Sequence, residues 1–169
     1  MYSKSDLMAA LAKEMNIIKH LGTKVSAGQE NFRPTPAQRS TLELMQYLTY
    51  AGVSMAKFIS LEGNGDTSKI WEERSEAAKG VTIENFGAAI DKASAELVAL
   101  IGQFTDEELA KEVNIYGMGL KTKGAYLVEG VLTMAVAYKM QLFLYAKQSG
   151  ASDIGTMNLW AGMDAPAKE

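Results

Sequence analysis

Hydrophobic residues recur at helical spacing in the first sixty positions of the chain. They stand three or four residues apart at Leu7, Leu11, Met15, Ile18, Leu21 and Val25, which predicts a helix over about 4–26. After a polar linker, the sequence TPAQ at 35–38 has an N-cap threonine followed by proline, which predicts the start of a second helix that ends near residue 60. Its apolar residues form two adjacent stripes, so this helix is expected to pack against two neighbours.

The middle of the chain continues this helical character. A short, charge-rich helix is predicted over about 68–78, a third long helix from Thr82 to about 102, and a short helical turn after Thr105. The segment 113–124 alternates polar and apolar residues and contains three glycines, which favours a loop or a weak extended ribbon. We find no convincing strand signal.

The last helix is the most apolar part of the sequence. Thr122 is its predicted cap and Gly150 its predicted end. Residues that share one face of it form a predicted core seam with polar atoms: Leu127, Val131, Met134, Tyr138, Gln141 and Tyr145. Its other faces carry further apolar residues: Val128, Leu132, Val136, Leu142, Phe143 and Leu144. One bundle seam cannot cover both sets, so we predict a second buried contact, such as a homodimer interface.

Four long helices with short additional ones predict an all-α helical bundle. The 169 residues are expected to form a single domain over 1–169. From about 151 the tail is expected to pack through Trp160 and to fray after it.

Composition excludes several kinds of chemistry. The chain has no cysteine, so thiolate nucleophiles and cysteine-bound metals are excluded, and its one histidine, His20, excludes a multi-histidine site within one chain. The net charge of -3 gives no basic surface for nucleic acid. Charges interrupt the N-terminal apolar positions, unlike a signal peptide, and Glu129 and Lys139 disfavour a membrane span in the last helix. We therefore predict a cytoplasmic protein that binds neither nucleic acid nor membrane.

Two segments resemble the DinB-like superfamily. Residues 33–48 have the sequence RPTPAQRSTLELMQYL. This segment resembles the start of that superfamily's second helix, where an R-P motif, an R-S pair and an E-L-L run precede a metal-binding histidine. Residues 138–150 have the sequence YKMQLFLYAKQSG. This segment resembles the superfamily's last helix, in which an H-x-x-x-H motif is followed by Gln-Leu and a closing glycine. The order of elements matches over nearly the whole chain, including a tryptophan near the C-terminus.

The resemblance implies a DinB-like four-helix bundle with an up-down-down-up arrangement, commonly dimeric, with a divalent metal held by three histidines. Those positions fall on Tyr47, Met134 and Tyr138. A neutral phenol and a thioether are poor ligands for zinc or nickel, so we predict no metal, no cofactor and no catalytic residue. The thiol-dependent transferase and maleylpyruvate isomerase activities of characterised relatives are not expected here.

Two main interpretations of Tyr47, Met134 and Tyr138, which we call the trio, remain open, and catalysis retained by other means is a third. Its side chains could fill the former metal cavity as core residues. They could also bind a small molecule, in which case Gln141 and Glu43, one turn before Tyr47, would help to orient it. We take the second interpretation as the leading hypothesis: a DinB-like protein without a metal that binds a small ligand at these five residues.

Two further hypotheses from other functional classes compete with it. One is a thiol S-transferase or hydrolase whose metal site is rebuilt from Glu43, His20 or the tail. The other is a protein-interaction module that uses the surplus apolar face of the last helix.

Four side chains outside the trio also have predicted roles. Arg33 and Arg39 are expected to anchor the linker through carboxylates or carbonyls, with anion binding as the alternative. Trp71, on the short charged helix, is expected to act as a lid packed on the bundle. His20 is interpreted as a boundary residue near the end of the first helix.

Overall fold

The computed structural model describes residues 3–166, most of which are helical. In chain order the elements are α1 (Lys4–Gly22), α2 (Thr41–Ser60), α3 (Thr67–Ala78), α4 (Phe86–Gly102), α5 (Asp106–Ala110), β1 (Glu112–Asn114), β2 (Leu120–Thr122), α6 (Lys123–Tyr126), a π-helical turn (Leu127–Leu132), α7 (Thr133–Gln148) and α8 (Thr156–Ala161). Helix α6, the π-helical turn and α7 are continuous, and we call them together the C-terminal helix. The prediction of an all-α bundle is confirmed.

The four long helices run up-down-down-up. Helix α1 packs against α4 and the C-terminal helix, and α2 packs against the same two, so α1 and α2 lie diagonally. Lys4 Nζ donates to the carbonyl of Phe104 at 2.8 Å, which makes α1 and α4 antiparallel. The first turn of α1 shares a groove with residues 122–128, so these helices are parallel. Tyr145 Oη donates to the carbonyl of Arg39, just before α2, which makes α2 antiparallel to the C-terminal helix.

Helix α2 begins later than predicted. Ser40, not Thr35, is its N-cap, and the Glu43 carboxylate accepts from the Ser40 N–H at 2.8 Å to close a capping box. Both positions have the spacing of a capping box, but Arg33 also binds Glu43, which adds a charged partner at the second position. Residues 35–38 form a turn instead, in which the Gln38 N–H donates to the Thr35 carbonyl.

Two other predicted boundaries were wrong. Helix α1 ends at Gly22, four residues early, where the chain packs on α4. Helix α4 begins at Phe86, because Thr82 and Asn85 form a side-chain-capped turn before it. The segment 113–124, for which the sequence favoured a loop or a weak extended ribbon, contributes to a short antiparallel hairpin of β1 with β2.

The predicted helix signals around the C-terminal helix and α5 are confirmed. Thr105 caps α5, Thr122 caps α6, and Gly150 follows the end of α7 with a φ of 137°. These are local signals, in which a side chain or a glycine satisfies the backbone within a few residues, so no tertiary contact is needed to produce them.

The tail packs differently from the prediction. Trp160 is 61% exposed, and Ile154 and Leu159 are buried in its place. After Trp160 the chain keeps specific contacts, because Asp164 accepts from Lys24 Nζ at 2.7 Å. The predicted fraying is therefore wrong as far as Asp164, and residues 167–169 lie outside the described residues.

The C-terminal helix has the length and apolar character of a membrane span, a test that core helices of soluble proteins also pass. The predicted inward seam faces the bundle: Leu127, Val131 and Tyr145 are buried and the other three members are half-buried. Of the second apolar set, Leu142 and Phe143 are buried in the core, whereas Val136 and Leu144 are 40% and 45% exposed.

Candidate functional site

Tyr47, Met134 and Tyr138 meet where α2 packs against α7. Met134 and Tyr138 lie one turn apart on α7, so both side chains project toward the same part of α2. Tyr47 Oη donates to Met134 Sδ at 3.8 Å, and the rings of Tyr47 and Tyr138 have centroids 4.9 Å apart at an interplanar angle of 65°. All three side chains are half-buried. The structure thus brings together three of the five predicted site residues.

Glu43 and Gln141 have other partners. Arg33 donates to both Glu43 carboxylate oxygens at 2.8 and 2.9 Å, and this bond is the main reason why the pKa of Glu43 lies below its ordinary value. Gln141 Nε2 donates to Tyr145 Oη at 2.7 Å. Neither side chain lines the cavity beside the trio.

Two further aromatic side chains extend the trio. The Trp71 indole stacks on Tyr47 with centroids 6.2 Å apart and an interplanar angle of 22°, and it meets Tyr50 edge-on at 5.9 Å. We call Tyr47, Tyr50, Trp71 and Tyr138 the aromatic cluster. The sequence analysis predicted Trp71 as a lid on the bundle. It did not identify Tyr50 as part of the site. The signal for Tyr50 was its spacing, since it stands three residues after Tyr47 on the same helix face.

Arg39 lies over this cluster. Its guanidinium carbon is 4.0 Å from the ring centroid of Tyr47 and 5.9 Å from that of Tyr138, within the range of cation–π attraction. Among the described residues, no carboxylate lies within 4.0 Å of this guanidinium, although the side chain of Arg33 is paired. Arg33 therefore anchors the linker as predicted, whereas the Arg39 side chain contacts aromatic rings.

A small, mostly apolar cavity lies beneath the trio. Its volume is about 20 Å³, and its lining comprises Met15, Ile18, Tyr47, Leu48, Ala51, Gly52, Val53, Leu97, Val131, Met134, Ala135 and Tyr138. A space of this size holds roughly one water molecule. A larger ligand therefore requires the aromatic cluster to open.

The donor atoms of the trio do not fit a divalent metal. Burial, and then the neighbouring Tyr138, raise the pKa of Tyr47 to about 12, so its phenol stays neutral near pH 7. Neutral phenol and thioether are weak ligands, and the Arg39 charge above the ring opposes a cation. Within residues 3–166, no three or more His, Asp or Glu side chains are grouped to hold a metal ion.

His20 lies apart from the cluster, between α1 and α8. The Asn158 Nδ2 amide is 3.1 Å from His20 Nε2, and the side chain is 16% exposed. Because an amide nitrogen only donates, Nε2 accepts and the imidazole is neutral in this arrangement. Burial and then the charge of Lys24 lower the pKa of His20, and the charge of Asp164 opposes them.

Comparison with known proteins shows the fold. No protein-family model matches the chain, and no curated protein matches it. Among solved structures, the chain is similar to the crystal structure of a DinB-like protein, YjoA, from Bacillus subtilis, with a TM-score of 0.64 and 19% sequence identity over 85% of this chain and 92% of that one. The chain thus has a DinB-like helical fold.

Proposed function

We propose that this DinB-like bundle binds a small molecule at its aromatic cluster, without a metal. The observation that carries the proposal is the convergence of Tyr47, Met134 and Tyr138, the three positions where the resemblance expects metal ligands, above an apolar cavity. Ligand sites are mostly apolar and aromatic with a few polar groups, and this cluster has that character.

The size of the cavity supports a site that opens on binding. Since the cavity now holds roughly one water molecule, a ligand must move part of its wall. Trp71 covers Tyr47 from α3, a helix in which Ala78 is the buried residue. Movement of Trp71, together with this short helix that packs along α2, would expose the cluster.

A thermal-shift screen with a metabolite library tests this proposal. We expect at least one compound to raise the melting temperature of the wild type but not that of Tyr138→Ala. Tyr116→Ala is the matched control, because it removes an exposed tyrosine of the hairpin, and the same compound should raise its melting temperature. If no compound acts, or if every active compound also stabilises Tyr138→Ala, the trio has only a packing role.

Metal titration tests the second part of the proposal. Untagged protein, purified without chelator, is expected to take up no stoichiometric zinc, nickel or manganese. Stoichiometric uptake that is weakened by Glu43→Ala or His20→Ala would contradict it and favour the metal-dependent transferase or hydrolase.

We further propose that the protein is a cytoplasmic homodimer. Val136, Met140 and Leu144 follow one another at four-residue steps on α7 and are 40–45% exposed. They form a continuous apolar stripe on the side of the helix away from the core, and a second copy of the same stripe would cover it.

A further inference from the structure

The Trp71 indole makes the contacts that an aromatic ligand of the cluster would make. It stacks on Tyr47 and meets Tyr50 edge-on, and both geometries are favourable for aromatic pairs. A chain segment that occupies its own binding site in this way competes with the ligand. The ligand that displaces it most readily is one that offers Tyr47 and Tyr50 another aromatic ring.

Helix α3 packs along α2 but buries little apolar surface: besides the half-buried Trp71, Ile70 is partly buried against the core. Arg74 pairs with Glu96 on α4, where both side chains are partly exposed, and Ala78 is its buried residue. After the helix, Gln46 Nε2 donates to the carbonyl of Val81 at 3.1 Å. Elements with little buried apolar surface open at low free-energy cost, so release of Trp71 is feasible within the folded bundle.

Arg39 supplies a positive charge at the same place. Its backbone carbonyl accepts a hydrogen bond from Tyr145 Oη, whereas its guanidinium carbon lies 4.0 Å from the Tyr47 ring centroid. No carboxylate among the described residues lies within 4.0 Å of its N–H edge. A guanidinium binds a carboxylate through two parallel hydrogen bonds along such an edge. The charge and the rings together select a ligand that is both anionic and aromatic.

We propose, resting on the proposed function, that the ligand is a small aromatic carboxylate, whose carboxylate binds Arg39 and whose ring takes over contacts that Trp71 makes with the cluster. The ring and the carboxylate are joined directly or by a short aliphatic chain. Binding moves the Trp71 indole from the cluster toward solvent.

Tryptophan fluorescence tests this assignment. The chain has two tryptophans, so in Trp160→Phe the emission comes from Trp71 alone. The probes are benzoate, phenylacetate and 3-phenylpropionate, each compared with its neutral primary amide. We expect an acid to bind and to shift the emission to longer wavelength, and its amide to bind about 10- to 100-fold more weakly, the range expected for a charge-assisted hydrogen bond.

Two arginine variants in the same background identify the charge. Arg39→Met is expected to lower the affinity for the acid about 10- to 100-fold and to change the affinity for the amide less than about 2-fold. Arg33→Met removes an equal charge from the same linker, and here acid binding should stay within about 2-fold of the parent. Equal affinities for acid and amide, or equal effects of the two variants, would overturn the proposed recognition of a carboxylate by Arg39. The proposal that the cluster binds a small molecule would not be affected by that result.

A third variant tests the displacement of Trp71, and isothermal titration calorimetry measures its affinity for the acid. Trp71→Ala removes the competing ring, so we expect tighter binding of the acid, and weaker binding would show that Trp71 is part of the wall instead. If neither acids nor amides bind, and the metabolite screen is also empty, the proposed function itself fails. Binding of library compounds that carry no carboxylate, with no acid bound, overturns only the ligand class.

Discussion

The side chain of Lys139 is the most deeply buried charge described on the C-terminal helix. Its Nζ lies 2.6 Å from Glu14 Oε2 on α1, and the two side chains are only 3% and 14% exposed. The ring of Trp160 lies 5.2 Å from the ammonium group. Since a buried charge is tolerated only when it is paired, each partner holds the other in place, and the pair ties α7 to α1.

Substitution of Lys139 should therefore be costly. Lys139→Met leaves the Glu14 carboxylate without its partner, and we expect the free energy of unfolding to fall by about 3–5 kcal/mol. Urea denaturation measures the change. Lys19→Met, which removes an exposed pair with Asp91, serves as the control and should cost less than about 1 kcal/mol.

The double variant Lys139→Met with Glu14→Leu removes both charges. It should recover most of the lost stability, because no unpaired charge remains. A double variant as unstable as Lys139→Met would show that packing of the lysine stem, and not charge pairing, dominates this contact.

Protonation of His20 should make stability depend on pH. The folded-state pKa lies below the ordinary 6.5, so the unfolded chain takes up the proton first as the pH falls. Stability is therefore fully present above pH 6.5 and declines as the pH falls from 6.5 toward the folded-state value, by at most about 1.4 kcal/mol per pH unit. Denaturant unfolding between pH 5 and 8 measures this decline.

His20→Gln should flatten the profile over that range. His20 is the one histidine of the sequence, and carboxylates with a lowered folded-state pKa, such as Glu62, lose their contribution mainly below about pH 5, where the unfolded chain takes up protons. If the wild-type profile matches that of the variant, protonation of His20 is not linked to folding.

At the scale of helices, the contact of α1 with α4 depends on a glycine. A Cβ added at Gly22 would lie 2.3 Å from Cδ1 of Phe86, a buried ring at the start of α4. A glycine is required here because the two helices approach closely at this point. After Gly22 the backbone N–H groups of Lys24 and Val25 donate to carbonyls three residues earlier, so α1 does not continue as an α-helix to residue 26 as its apolar pattern predicts.

Gly22→Ala should destabilise the bundle. The ring of Phe86 must move to admit the methyl group, and overpacking of this kind costs about 1–3 kcal/mol. Thermal and urea unfolding measure the loss. Gly102→Ala is the matched control at the end of α4, where the nearest atom is Met8 Cε at 3.7 Å, and it should be neutral or slightly stabilising. Equal effects of the two variants would contradict close packing at Gly22.

The π-helical turn determines how the C-terminal helix presents its site residues. It ends at Leu132, immediately before α7 and Met134, and Thr133 Oγ1 donates to the Val128 carbonyl at 3.0 Å. Such turns insert a residue into a helix and frequently stand at functional sites. The insertion changes the angular position of everything after it, so the turn sets where Met134 and Tyr138 face α2.

At the scale of the whole molecule, the apolar surface of α7 exceeds what the bundle covers. Of the most apolar 18-residue stretch of the C-terminal helix, 28% is buried. Val136, Met140 and Leu144 lie on its open side. The proposed homodimer interface on this stripe would cover the apolar surface that remains.

Met140→Glu should dissociate the proposed dimer. A carboxylate near the centre of an apolar interface loses its hydration without a partner, so we expect the variant to be a monomer at concentrations where the wild type is a dimer. Sedimentation equilibrium measures the mass. Met118→Glu, at another exposed methionine in the hairpin, should leave the dimer intact. A monomeric wild type would favour binding of a different protein at this face.

The sequence by itself determined the helical character and the order of the long helices, and its resemblance to the DinB-like superfamily pointed to Tyr47, Met134 and Tyr138 as the candidate site. Hydrophobic periodicity and caps such as Thr105 and Thr122 act over a few residues, and the spacing of Met134 and Tyr138 places them on one face of a helix. Tertiary structure decided what depends on contacts between distant segments. Ser40 replaced Thr35 as a cap because Arg33 also bound Glu43, and Trp71 reached Tyr47 because α3 folds back on α2. The same holds for the pairing of Lys139 with Glu14 and for the lack of a carboxylate near Arg39 among the described residues. Which charges meet is set by the packing of whole helices and not by local sequence.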